Sequence, residues 1–155
     1  MSADDVGALD LPRWVAKAPP DKKNFREAVH ILLTAIGASA VLRGNMILKG
    51  GMLMALRYDS SRFTRDADFS TAAKYAKGDE QKLLAELGAQ LVTANAGSSY
   101  DTFCKIQHHS LMPPGPDKSF PTLALKIGYA PRSNSRSLQR LLAGQSPTVV
   151  EIDYS

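Results

Sequence analysis

The sequence predicts an α+β (mixed α/β) fold: a small mixed sheet flanked by helices. Three observations predict it. Apolar residues recur at helical spacing across two long stretches, 23–43 and 78–94. Shorter stretches that alternate or run apolar lie at 45–51, 66–70, 101–112, 120–130 and 148–155. The two kinds of element are interleaved along the chain, which a pure bundle or sandwich would not require.

Residues 1–20 read as an extended lead-in, because "PRWVAKAPPDKK" carries three prolines and no sustained period. Trp14 is expected to dock on the domain as a packing anchor. Residues 21–155 form the domain. Asp21 stands where a cap would, and Phe25, Val29, Leu32, Ile36 and Ala40 follow at helical spacing, widened by Ala28, Leu33 and Ala35. Gly37 is the expected break in this helix. "NMILKGG" is a short strand ending in a glycine turn, and "GMLMALRY" favours helix through its Met, Leu, Ala and Arg. "SSRFTR" is a polar loop. "DADFS" is a strand with Asp66, Asp68 and Ser70 on one face and Ala67 and Phe69 on the other.

"GDEQKLLAELGAQLVTA" is an amphipathic helix with Leu83, Leu84, Leu87, Leu91 and Val92 inward. "DTFCKIQHHSLM" and "FPTLALKIGYA" are strands separated by "PPGPDK", which no helix crosses. "SNSRSLQRLLAG" is a short helix capped by Ser133 or Asn134 and closed by Gly144, with Leu138, Leu141 and Leu142 turned inward. "TVVEIDYS" is a final strand. A domain seldom ends so abruptly on a strand, so the expectation is a fragment or a natural protein that continues.

Composition sets the class. The 155 residues suffice for one core, and the contents of 44% hydrophobic and 22% charged residues are those of a soluble fold. The net charge of +4 is compatible with polyphosphate or nucleic-acid partners without requiring them. With Cys104 alone, one chain builds neither a disulfide nor a multi-cysteine zinc site. The acidic N-terminus has no apolar signal core, and no stretch approaches the roughly 20 apolar residues of a membrane span. These features predict a cytoplasmic protein with no membrane partner.

Two local patterns carry chemistry. Gly50-Gly51 lies between a strand and a helix, where unpaired amides and the helix dipole favour a phosphate that a Cβ would hold off. Lys49 adds a charge beside the turn. Asp66-x-Asp68 points two carboxylates one way, an arrangement that repels itself unless a cation sits between them. Mg2+ favours such oxygens together with substrate phosphates. Alone, the first pattern favours a plain tight turn. The second, alone, favours a solvated strand face neutralised by Arg62 or Arg65. Joined by one helix and one loop, the two can meet at one sheet edge.

The run "LKGGMLMALRY…RFTRDADFS" resembles the AbiEii/AbiGii nucleotidyltransferase family of the DNA polymerase beta-like superfamily, whose members include toxins of bacterial toxin–antitoxin systems. Leu48, Lys49, Gly50, Gly51, Arg62, Thr64, Asp66, Asp68 and Phe69 fall on its motif. Met52 stands where the family has Ser or Thr, and a thioether is a poor substitute for a hydroxyl at a phosphate oxygen.

The resemblance implies a nucleotidyltransferase domain over 21–155. It implies Mg2+ or Mn2+ at Asp66, Asp68 and a third acid, and a nucleoside triphosphate bound by Lys49, Gly50, Gly51, Arg65 and Lys126. The acceptor it implies is a hydroxyl of RNA, tRNA-like, or of a protein, and a neutralising antitoxin would be the partner. For the third acid, "VVEIDYS" offers Glu151 and Asp153 on one face. Periodicity does not choose between them, but the shorter Asp153 holds a metal more rigidly. The family often has an acid soon after its lysine, where this chain has Gly128.

The alternative is a truncated or degenerate member that binds nucleotide or a partner without catalysis. Arg132, Arg136 and Arg140, four residues apart, form a basic stripe if helical, suited to a solvated face or to an RNA backbone. His30 reads as structural, Cys104 as core, and His108 and His109 as lying on opposite sides of a strand.

Overall fold

The computed structural model describes residues 11–48, 66–71, 79–112 and 122–154; at β1, β2 and the last residues of β5 the description is of the backbone. Chain order is α1 (Leu11–Ala16), a 3-10 turn (Pro20–Lys22), α2 (Lys23–Ala38), α3 (Ala40–Asn45), β1 (Met46–Leu48), β2 (Asp66–Thr71), α4 (Asp79–Gly97), β3 (Thr102–Met112), β4 (Thr122–Pro131), α5 (Ser135–Leu142) and β5 (Val149–Tyr154). The fold is mixed α+β, as the sequence predicts.

The five strands form one sheet in the order β1-β2-β5-β4-β3. β2 and β5 run parallel, and the other neighbours are antiparallel. One face carries the main core. Val29, Leu32 and Ile36 of α2 and Leu83, Leu87 and Leu91 of α4 pack on Leu123, Leu125, Ile127, Val150 and Ile152. Alternation along β4 and β5 turns Lys126, Gly128 and Glu151 to the other face. There α5 covers the Gly128 end, with its Leu141 fully buried.

Several local expectations change. Leu11–Ala16, read as extended, is helical, and it buries Trp14 and Val15. Trp14 docks as expected: Arg26 Nη1 donates to its carbonyl at 2.7 Å, and the guanidinium lies 4.9 Å from the ring centre. Asp21 falls in the 3-10 turn, and the residue before α2 is Lys22, with no side-chain cap.

The first long helix divides at Ser39 rather than at Gly37. Ser39 is extended, and its Oγ accepts from Leu42 N at 3.2 Å while donating to Glu86 Oε1 at 2.7 Å. A serine cap, not a glycine, separates the helices. Ala40 is exposed and leaves the expected stripe. Val92 and Leu142, placed inward by periodicity, are 69% and 53% exposed, because each lies at the edge of its helix's apolar arc.

At α5 the capping reading holds. Asn134 Oδ1 accepts from Ser137 N at 3.1 Å. Gly144, at φ 76°, closes the helix: Gln145 N donates to Arg140 O at 2.8 Å and Gly144 N to Leu141 O at 2.9 Å. The "GMLMALRY" helix, the "SSRFTR" loop and the "PPGPDK" loop lie outside the described residues.

Candidate active site

The expected site residues fall into two groups. Lys49, Gly50, Gly51 and Arg65, with Met52, lie outside the described residues. The acids and Lys126 lie on described strands, with Asp66, Asp68 and Asp153 described by their backbone.

The sheet register places these positions. Across the parallel β2–β5 pair, Asp66 stands opposite Glu151, and Asp68 opposite Asp153. Across the antiparallel β5–β4 pair, Glu151 stands opposite Lys126, and Asp153 opposite Ala124. Lys126 in turn stands opposite His108 of β3. One row of the sheet thus reads Asp66, Glu151, Lys126, His108, and the next reads Asp68, Asp153, Ala124, Ser110.

Residues opposite each other in a ladder share a face, so the two rows belong to the face away from α2 and α4. Lys126 and His108 are exposed and Glu151 is half-buried. Their neighbours Leu125, Ile127, Val150 and Ile152 are buried on the other side. This answers why a lysine sits in an apolar strand: half of β4 faces the core and Lys126 does not. Among the residues whose side chains are described, no three His, Cys, Asp or Glu groups gather as a metal site.

His108 enters its row through an irregularity. The β3–β4 register shifts between Ile106 and His108, leaving Gln107 as the extra residue. Gln107 is held at both ends of its amide: Nε2 donates to Ser146 O at 2.9 Å, and Oε1 accepts from Ser146 N at 2.8 Å. Without that bulge, Gln107 would stand opposite Lys126. The histidines do lie on opposite sides of the strand, with His109 opposite Leu125. Sequence alternation alone did not identify His108 as the one beside Lys126, because a bulge leaves no mark on the hydrophobic pattern.

Gly128 is a packing position. A Cβ there would lie 2.6 Å from Leu141 Cδ1 and 2.7 Å from Gln107 Oε1. An acid at this point has no room under α5. The arginine stripe is also broken. Arg132 precedes α5, its Nη2 donates to Asn95 O, and its guanidinium lies 5.5 Å from the Phe103 ring centre. Arg136 and Arg140 are exposed on the helix.

The remaining titratable groups are structural. Cys104 is 1% exposed, and burial pushes its thiol up to about 12, so it is no nucleophile near neutral pH. His30 Nδ1 meets Tyr100 Oη at 2.7 Å. Burial lowers the imidazole's pKa and, with the Glu27 carboxylate nearby, raises that of the phenol. A protonated phenol and a neutral imidazole therefore share this hydrogen bond, and the imidazole tautomer sets which of them donates.

These two residues line a cavity of about 850 Å³ between α1, α2 and the end of α4. It opens on the helical layer, across the core from the acid rows. Its aromatic and imidazole groups already satisfy each other, whereas the acid rows set four acid positions on two adjacent strands.

No helix among the described residues is long and apolar enough to cross a membrane. No curated protein matches the sequence. The family model described as "Nucleotidyl transferase AbiEii toxin, Type IV TA system" matches residues 31–155, a span that takes in both acid rows, Lys126 and α5. The chain belongs to that family of nucleotidyl transferase toxins.

Proposed function

We propose that this domain is a metal-dependent nucleotidyltransferase, the toxin of a toxin–antitoxin pair, which moves a nucleotide from an NTP to a hydroxyl of an RNA or protein acceptor. The observation that carries this reading is the register of Asp66 with Glu151 and of Asp68 with Asp153. Four acid positions on two adjacent strands are a hard-oxygen donor set, which fits Mg2+ or Mn2+. In this reading Asp66, Asp68 and Asp153 hold the metal. Glu151 is the less suitable third ligand, because its other ladder neighbour is the cationic Lys126.

When bound, the metal supplies Lewis-acid polarisation of the α-phosphate and lowers the pKa of an acceptor hydroxyl. The chain's own groups bind and orient. Gly50 and Gly51 offer backbone amides to the triphosphate, and Lys49, Arg65 and Lys126 offset its charge. A buried apolar layer of Leu125, Ile127, Val150 and Ile152 beneath the rows anchors β4 and β5, the strands of Lys126, Glu151 and Asp153.

The test is transfer of label from NTPs to RNA or protein in the presence of Mg2+. The expected result is transfer by the wild type and none by Asp66→Ala/Asp68→Ala. Equal signals from the two overturn the proposal. A second reading, nucleotide or partner binding without turnover, is favoured by Gly128, whose packing under Leu141 leaves no place for the acid often found after the lysine. It predicts thermal stabilisation by NTP with no transfer.

A further inference from the structure

We infer that the cavity between α1, α2 and the end of α4 is a binding site for a small organic cation, an amine on a short apolar body whose ammonium group is held by Glu27. Glu27 is 6% exposed and lines the cavity. Its Oε1 accepts from Thr102 Oγ1 at 2.8 Å, and no cationic side chain among the described residues is ion-paired with it. A buried carboxylate with one hydroxyl donor is short of partners, because buried charges are stable only when paired or bound to a cation. Among the described residues that line the cavity the one formal cation is Lys23, a turn earlier on α2, and it is exposed. The site does not depend on the transferase reading.

The rest of the lining selects the same ligand. Asp101 adds a second carboxylate. Its oxygens accept from Ser133 N and Oγ, so it acts on the cavity through its charge. The C-terminal end of α4 meets the cavity at Gly97 and Ser98. Its last turn holds no basic residue to offset the negative end of the helix dipole, although Arg132 binds the Asn95 carbonyl. Val15 and Ile31 supply apolar wall, and the Tyr100 ring attracts cations as well as apolar groups. The volume of about 850 Å³ falls within the roughly 300–1,000 Å³ of small-molecule sites. An anion would meet two carboxylates and a helix C-terminus with one exposed lysine to offset them.

The test is an NMR titration of the isotope-labelled full chain, in phosphate buffer free of other amines and of NTP. The probes share one shape: phenethylamine, which is protonated near neutral pH, phenylpropionate, and the neutral phenylethanol. Saturable binding of phenethylamine in the millimolar range is expected, with weaker binding of phenylethanol and none of phenylpropionate. Glu27→Gln removes the charge but keeps an acceptor for Thr102, and should weaken phenethylamine about tenfold. Lys23→Ala, at an exposed position, removes the repelling cation and should tighten it about twofold. Asp21→Asn makes the same charge change as Glu27→Gln outside the cavity lining and should leave binding unchanged.

No saturable binding of phenethylamine overturns the inference, as does binding of phenylpropionate just as tightly. Wild-type affinity in Glu27→Gln overturns it too. An equal loss in Asp21→Asn marks a general attraction of the surface for cations and rejects the site. If Glu27→Gln fails to fold, Lys23→Ala decides: tighter binding of phenethylamine upholds the cation site, and any other result rejects it. Neither nucleotide nor turnover enters the measurement, so a failure here is distinct from a failure of the transferase reading.

Discussion

Leu141 of α5 lies over Gly128 of β4 so closely that a Cβ on the glycine would come within 2.6 Å of its Cδ1. Leu141 is fully buried, and the second close atom, Gln107 Oε1, is held by Ser146 N at 2.8 Å. Neither can withdraw freely. Gly128→Ala is therefore expected to destabilise the fold by about 1–3 kcal/mol through overpacking. Gly128→Asp should do worse, since it adds an unpaired charge under a helix. Urea denaturation measures both. Combining Gly128→Ala with Leu141→Ala should cost less than the sum of the two single changes, because the cavity of one receives the methyl of the other.

That contact also shows what a sequence hides. The core helices were legible, because Val29, Leu32, Ile36, Leu83, Leu87 and Leu91 repeat at the helical period. So were the strands, and the capping of α5 by Asn134 and Gly144. The acid pairs were legible as motifs, but not their register, which depends on β5 inserting between β2 and β4, parallel to the first and antiparallel to the second. Nothing in "VVEIDYS" specifies its neighbours. Gly128 read as a missing acid, and its packing role needed α5 in place. Arg132 read as part of a basic stripe, although its partners Asn95 and Phe103 are distant in sequence.

Asn95 acts as a one-residue substitute for a neighbouring strand. Its side-chain amide donates to Cys104 O at 2.8 Å and accepts from Cys104 N at 3.0 Å, and the residue is 2% exposed. Asn95→Ala leaves both backbone groups of Cys104 unpaired in a buried place, at a cost of roughly 2–4 kcal/mol. Two measurements check this: the denaturation midpoint, and the rate at which a thiol reagent labels Cys104. Labelling requires opening, so it should accelerate in the variant.

The His30–Tyr100 pair predicts a specific acid sensitivity. Burial lowers the imidazole's folded pKa from its ordinary 6.5. Above that pH both folded and unfolded states hold a neutral ring, and no penalty arises. As pH falls below 6.5 towards the lowered folded value, only the unfolded state takes up the proton, and stability is lost. Thermal melts between about pH 7.5 and 5 should show a falling Tm for the wild type. His30→Gln should flatten that slope, even though it loses stability at neutral pH.

The acid rows predict opposite effects of metal removal on different variants. On the proposed metal reading, Asp68 and Asp153 are ladder partners of like charge once divalent cations are chelated, so Asp153→Asn should raise Tm in EDTA. Added Mg2+ should stabilise the wild type by mass action, about 2.7 kcal/mol when free metal reaches a hundred times its dissociation constant. Asp153→Asn should lose that gain, and Asp68→Asn should lose it together with all nucleotide transfer. Glu151→Gln should keep most of it, since Lys126 stands opposite Glu151 and can compete with a metal for its carboxylate. If Glu151→Gln abolishes the Mg2+ shift while Asp153→Asn retains it, the third ligand is Glu151 and the row containing Lys126, rather than its neighbour, is the metal row.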